Sequence, residues 1–362
     1  MIGFAWLQSR IQALVVLGGL VVVAVVLAVT GPHLTHLYNT NVAHCSAYGN
    51  CQSATASFLL TDGPLRAWLD ILVVVVPGII GIFWGAPLVA RELEAGTYRL
   101  AWTQSVTRTR WLAAKLAIVG LASMAVAGLL SLMVTWWASP ADKANVNLYA
   151  SFDERNLVPI GYAALAFALG VLAGIVIRRT VPAMATTMVT FVAARIAFSK
   201  SVRPHLFAPL HKGVALDPAS MGFGTTGSGG HDHLMPSTPM IRNAWIRSVH
   251  IVDRSGRGLT TTVQNRICSD LTAHLPQGPP PGATRQGGGL LGRGQAVRGQ
   301  APAEVQNALF TCVTKLGKQY HEVVAYQPAS RYWAFQWTEL GLYLAAALVL
   351  VGACFWLVRR VT

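Results

Sequence analysis

The chain has 362 residues, of which 53% are hydrophobic and only 12% charged, with a formal net charge of +14. A charged share about half that of soluble domains excludes an ordinary cytosolic enzyme and makes lipid the expected solvent. The positive charge does not imply nucleic acid as a partner, because the basic residues divide between helix flanks and one long segment and no helix or groove concentrates them.

A helix crossing about 30 Å of hydrocarbon needs roughly 20 apolar residues. Six runs qualify: Ile11 to Thr30, Leu69 to Ala90, Trp111 to Ala138, Val158 to Ile177, Val181 to Ser199 and Thr338 to Val358. The first exceeds the apolar length of a secretory leader, and no small-residue cleavage site follows at Gly31-Pro32, so it reads as a retained helix. The first outer loop then carries Cys45 and Cys51.

The second helix contains Pro77, Gly78, Gly81, Gly85 and Pro87. That density frees backbone groups, which a cavity or neighbouring helices must satisfy. Pro77 and Gly81 are therefore candidates for a pathway or an interface, and close packing through small residues is the equal alternative. The fifth helix carries Arg195, roughly 22 Å from its inner end, as a gate residue or one that snorkels to the outer headgroups. Asp70 and Glu339 are expected at the outer ends of helices two and six, leaving no charge at mid-depth. A proton-coupled carrier would bury a carboxylate or histidine, so the pattern points to energy supplied from outside the membrane.

Basic residues set the orientation. One set of helix ends carries Arg10, Arg91, Arg99, Arg108, Arg110, Lys115, Arg178, Arg179, Arg359 and Arg360, while the opposite loops carry Arg66, Lys143 and Arg155. Both termini are thus expected in the cytoplasm of a multi-pass cell-membrane protein. The segment from Lys200 to Tyr332 holds half of the Lys and Arg, but long segments translocate largely regardless of charge. Cys45, Cys51, Cys268 and Cys312 then all lie outside, as an oxidising exterior favours. Three pairings are possible, and 45 with 51 plus 268 with 312 keeps each bridge within one segment.

Within this outer segment, Gly222 to Gly230 and Gln277 to Pro302 read as loops. Trp245 to Asp253 and Gly258 to Val263 read as strands around a Ser255-Gly256 turn. A helix containing Cys268 should follow, and a second helix, Ala303 to Lys318, presents Val305, Leu309, Cys312, Val313 and Leu316 on one face. His231-Asp232-His233, with His205, His211 or His250, lacks a second organised ligand pair and reads as a solvated loop rather than a metal site. The sequence contains no phosphate-binding GxxxxGK[ST] loop, no serine nucleophile elbow and no zinc-protease helix.

The stretch Ala90 to Lys115, ARELEAGTYRLAWTQSVTRTRWLAAK, resembles the cytoplasmic segment between helices two and three of ABC-2 type transporter permeases. The matching positions are Glu94, Gly96, Thr97, Thr107 and Arg108. Trp84 to Pro87, Gln104 to Arg108, Arg203-Pro204-His205 and Tyr326 to Gly341 are similar to the actinobacterial branch. The resemblance implies an all-α polytopic permease with six transmembrane helices, of the ABC-2 or type V exporter kind, carrying a small α+β extracytoplasmic domain between helices five and six.

It further implies a second permease copy, homodimeric or related, and two copies of an ABC ATPase that bind ATP and Mg, this chain itself binding no cofactor. The organisation is then 1–199 for helices one to five with a coupling segment at 91–110, 200–332 for the outer domain, and 333–362 for helix six and its tail. In a short helix through Tyr98 to Ser105, Tyr98, Ala101, Trp102 and Ser105 share one face that could dock in a partner's cleft. Glu92 and Glu94 suit its positive end, with Arg108 or Arg110 as partners. The alternative is an interfacial helix anchored by Trp102 and Trp111. A membrane-anchored extracytoplasmic binding or mechanotransmission protein is the second functional reading. Small drugs, antibiotics, peptides and lipids are all admissible substrates, and export is the direction the resemblance favours.

Overall fold

A computed structural model describes residues 2–43, 51–61, 63–96, 107–144, 147–218, 221–225, 232–235, 241, 243–274 and 303–360. In chain order the helices are α1 (Ile2–Leu37), α2 (Cys51–Thr61), α3 (Gly63–Ile80), α4 (Ala86–Glu94), α5 (Arg108–Ala144), α6 (Val158–Ile177) and α7 (Thr180–Ala197). Strands β1 (Leu210–Val214), β2 (Gly222–Thr225), β3 (Asp232–Met235) and β4 (Trp245–Asp253) follow. Then come α8 (Thr261–Ile267), α9 (Ser269–His274), α10 (Ala303–Leu316), β5 (Tyr320–Gln327) and α11 (Tyr332–Arg360). Two compact units result, residues 1–207 with 330–362, and residues 208–329.

Six helical stretches of the first unit are long and apolar enough to cross a membrane: Leu14–Ala43, Gly63–Glu94, Thr109–Ala144, Leu148–Ile177, Thr180–His205 and Ala329–Arg360. Helix α6 coincides with the bounds expected for the fourth span, while the other stretches run longer because helix continues past the apolar run into flanking polar residues. The sixth begins at Tyr332, not Thr338, and the second at Gly63, not Leu69. Glu339 and Asp70 therefore lie about two turns inside their helices rather than at the ends, which corrects the expectation.

Helix α6 is the centre of this unit. It carries no charged side chain and is buried nearly all round, packing on α3–α4, α5, α7 and α11. A helix apolar on every face has no amphipathic stripe to orient it, so close approach and end capping must position it. The approach is made by two glycine pairs at four-residue spacing: Gly170 meets Gly81 and Gly85, and Gly174 meets Ala86 one step further along. A Cβ on Gly170 would collide with the Gly81 carbonyl oxygen, and one on Gly81 would meet the Ala166 oxygen at 2.6 Å. A Cβ on Gly174 would meet the Ala86 oxygen at 2.6 Å. Between α3 and α4 the backbone widens into a π-helical turn, Gly81–Gly85, in which the Ala86 N–H reaches back to the Gly81 carbonyl. This is backbone-to-backbone packing of the small-xxx-small kind. Pro77, buried one turn earlier, removes an N–H donor and loosens the turn in which Val74 sits.

In the second unit, β5 lies between β1 and β4 in an antiparallel sheet, with Gly213 opposite Val323 and Val249 opposite Val324. Ile251, Leu216, Leu271, Val313 and Leu316 form its core with Cys268 and Cys312, which are bridged with Cα atoms 4.9 Å apart. Strand β4 occupies its expected residues. The second strand expected at Gly258 to Val263 is reduced to one bridge at Gly258, because Thr260 accepts a hydrogen bond from Val263 N–H and opens α8. Cys268 sits in the turn between α8 and α9 rather than within a helix. In the β4 turn, Ser255 and Arg257 donate to the Asp253 carboxylate and hold its pKa down to about 2. The stretch read as a loop from Gly222 contains β2, paired with β3, and so Asp232 and His233 lie in a strand. Among the described residues no group of three or more His, Cys, Asp or Glu is placed to hold a metal ion. Cys45 lies outside the described residues, as does any account of its pairing with Cys51, the first residue of α2.

Two outcomes are expected. Gly170→Ala should force α6 away from the Gly81 carbonyl and lower stability by about 1–3 kcal/mol, read as a fall in the thermal midpoint of the detergent-solubilised protein. Breaking the Cys268–Cys312 bridge by Cys312→Ser should cost about 4 kcal/mol on the chain-entropy model for a separation of 44 residues. Hydrogen exchange in β4 and β5 should accelerate accordingly.

Candidate functional site

The spans of the first unit alternate in direction, so one end of the bundle, here the near end, gathers Glu94, Arg108, Arg178 and Arg360. The opposite, far end gathers Gly63, Ala144, Val158 and Tyr332. Charge enters the bundle at both ends, in different ways.

At the far end the Arg203 guanidinium grips two carboxylates. Its Nε donates to Glu339 Oε1 at 2.5 Å and its Nη2 to Glu339 Oε2 at 3.0 Å. On its other edge Nη1 donates to Asp153 Oδ2 at 3.1 Å and Nη2 reaches Asp153 Oδ1. Both forks are thus occupied, the geometry in which an arginine–carboxylate pair is strongest. Tyr162 adds a hydrogen bond to Asp153 Oδ1 at 2.5 Å, and the guanidinium lies 4.8 Å from the Phe152 ring centroid. The set joins the short helical turn before α6, α6 itself, the end of the fifth span and α11.

Gln336, fully buried on α11, completes this end. Its Oε1 accepts from the N–H groups of Leu157 and Val158 at 3.1 Å, capping α6, while its Nε2 donates to the Phe152 carbonyl at 3.2 Å. Those first-turn N–H groups would otherwise be unsatisfied in an apolar interior, which explains a glutamine with no exposed surface.

Arg195 lies beside this set. It is partly buried, donates from Nη1 to the Val74 carbonyl at 3.3 Å, stacks 4.2 Å from the Tyr162 ring centroid and stands 3.9 Å from Asp153. The loosened turn above Pro77 is thus where the arginine binds backbone. Pro77 and Gly81, expected as pathway or interface residues, are both buried within the chain's own helix packing.

A second far-end set is looser. Arg155 Nη1 donates to Asp142 Oδ2 at 3.3 Å and to the Val134 carbonyl at 3.3 Å. Arg66 stands 3.9 Å from Asp70 and 3.7 Å from Asp142, and donates to Ser151 at 3.3 Å.

At the near end, α4 is tied in two directions. Glu92 pairs with Lys115 on α5, whose ammonium lies 4.5 Å from the Trp111 ring centroid. Glu94 Oε2 accepts from the N–H and hydroxyl of Thr180 at 3.0 and 2.7 Å. A carboxylate on one helix thereby caps the positive N-terminus of another, α7. Helix α4 ends at Glu94, so both carboxylates belong to it, and these bonds tie it to α5 and α7. Gly96 follows with φ 70°, the left-handed conformation that closes a helix end. Thr97, Tyr98 and Trp102 lie outside the described residues, and Arg108 is the first residue of α5.

Sequence reasoning singled out Glu92, Glu94, Gly96 and Arg195 but assigned no role to Asp153, Tyr162, Arg203 or Gln336. The available signal was the polar residues flanking an otherwise uncharged fourth helix.

Arg203 and Arg195 generate one expectation each. Arg203→Met leaves Asp153 and Glu339 without their guanidinium and should cost about 3–5 kcal/mol, read as lost folded yield. Arg195→Ala removes one carbonyl hydrogen bond and a longer ion pair, and should leave the folded yield unchanged.

Compared with known proteins, residues 17–203 match a family model described as ABC-2 membrane transporter related, just over half of the 362 residues. No curated protein and no solved structure matches the chain.

Proposed function

The chain belongs to the ABC-2 membrane transporter related family, and on that premise we propose that it is the permease subunit of an ABC exporter whose ATP is hydrolysed on a separate ATPase. In this reading two permease copies and two ATPase copies form the transporter, both termini of the permease are cytoplasmic, and Ala95 to Val106 meets the ATPase.

The observation that carries the reading is the double tie of α4. The helix immediately before the proposed contact segment is fixed to α5 through Glu92 and to α7 through Glu94. A displacement delivered just beyond Gly96 therefore reaches three spans at once, through contacts a few residues from the point of entry. Arg108 opens α5 on the other side of the segment, so the segment is bracketed by helices that are already linked. In this scheme Arg195 is a gate residue, positioned against span two by the Val74 carbonyl.

Tyr98→Ala combined with Trp102→Ala tests the proposal. The pair removes two large contact groups from a segment outside the spanning helices, and should weaken the ATPase interface by about 2–4 kcal/mol if these residues are hot spots. Co-purification of the ATPase and its substrate-stimulated activity in proteoliposomes should both fall, with membrane insertion unchanged. Retention of both at wild-type level would remove this segment as the contact.

A further inference from the structure

The two buried arginine sets at the far end differ in one respect that points to a ligand. Arg203 fills both of its guanidinium edges with carboxylate oxygens. Arg155, whose side chain is 3% exposed, fills only one. Its Nη1 is held by Asp142 and the Val134 carbonyl, which fixes the plane of the group. Its Nε and Nη2 have no hydrogen-bond partner, and neither does Asp70 Oδ1, which stands 3.7 Å from Nη2. Nε–H and one N–H of Nη2 are parallel by the covalent geometry of guanidinium, so two buried donors open on one edge of the group, with a buried acceptor 3.7 Å from one of them.

What can sit there follows from chemistry. Buried donors left without partners cost about 1–3 kcal/mol each, more when charged. A 3.7 Å separation is too long for a direct hydrogen bond and suits a bridging atom at about 2.7–3.0 Å from each side. The bridging atom must accept from the two guanidinium N–H groups and donate to a carboxylate. A metal cation or ammonium cannot accept, and a carboxylate or phosphate oxygen cannot donate. A hydroxylic oxygen does both. We propose that Arg155 and Asp70 together hold one water molecule, as a bridge between α3 and the residues that lead into α6.

The bridge would give α3 a link to that segment which differs in kind from the Arg203 grip. A water can exchange, so this joint can open and close without leaving a charge bare. Its place is separate from the near-end residues on which the transport reading rests, and the two stand or fall independently.

The test is the structure of the full chain in lipid nanodiscs at a resolution that shows ordered water. A peak should lie within hydrogen-bonding distance of Arg155 Nε, Arg155 Nη2 and Asp70 Oδ1. It should persist in Asp70→Asn, which keeps an amide oxygen as acceptor, and vanish in Asp70→Leu, which keeps none. A fork closed directly on Asp70 with no peak in the wild-type protein overturns the proposal, as does a peak that survives in Asp70→Leu. Should Asp70→Leu fail to fold, the wild-type and Asp70→Asn maps decide the matter, since loss of the peak in Asp70→Asn is equally contrary.

Discussion

The helix bundle depends on the close approach of α6 to the second span. In lipid, apolar side chains gain little by leaving their surroundings, because hydrocarbon tails are as apolar as leucine, so helix association rests on packing and on internal hydrogen bonds. Helix α6 carries no charged group, and the side-chain hydrogen bonds of its Tyr162 lie near its start. It is held instead where four glycines let two backbones touch, a contact that a single Cβ on either side would break. The π-helical turn at Gly81–Gly85 belongs to the same contact, since it places the Gly81 carbonyl against Gly170.

Given a central helix fixed at mid-length, its ends become the places where polar chemistry is needed. At the far end, Gln336 caps the first turn and Arg203 ties the preceding segment to α11. At the near end, Arg178 turns the chain in the left-handed conformation, and α7 begins two residues later with its first N–H already accepted by Glu94. Gln336, Arg203 and Glu94 each satisfy a backbone or charge requirement created by a neighbouring helix.

Much of this was legible in the sequence, and the missing part has a physical cause. The six spans followed from run length, the β4 strand from alternation, and the Cys268–Cys312 bridge from residence in one segment. The Gly and Pro of span two stood out, yet Gly170 and Gly174, at the same four-residue spacing, did not. Glycines that match across helices are visible only once the helices face each other. The Arg203 set was hidden for the same reason, its carboxylates lying 50 and 136 positions away in sequence. Strands β1 and β5 were missed because β1, an exposed edge, shows no alternation, while β5 reads as half-apolar on both faces. The depth of Glu339 was misjudged because the aromatic and polar first turns of α11 extend a helix that hydropathy begins only at Thr338.

The two ends of the bundle also differ in strength, and that difference bears on where motion is cheap. The Arg203 set is buried and doubly forked, so breaking it would expose carboxylates to an apolar interior at about 3–5 kcal/mol. The Glu94 cap of α7 is exposed, where solvent screens the interaction and keeps it weak. Between them lie Pro77, which donates no backbone hydrogen bond, and the π-helical turn. A force applied at the end of α4 would therefore meet the exposed Glu94 cap and the Glu92–Lys115 pair first, then the π-helical turn, and only last the buried grip of the far end. Rearrangement should begin at the near end and leave the far-end residues moving as one body, with the glycine contact between α6 and the second span as the pivot.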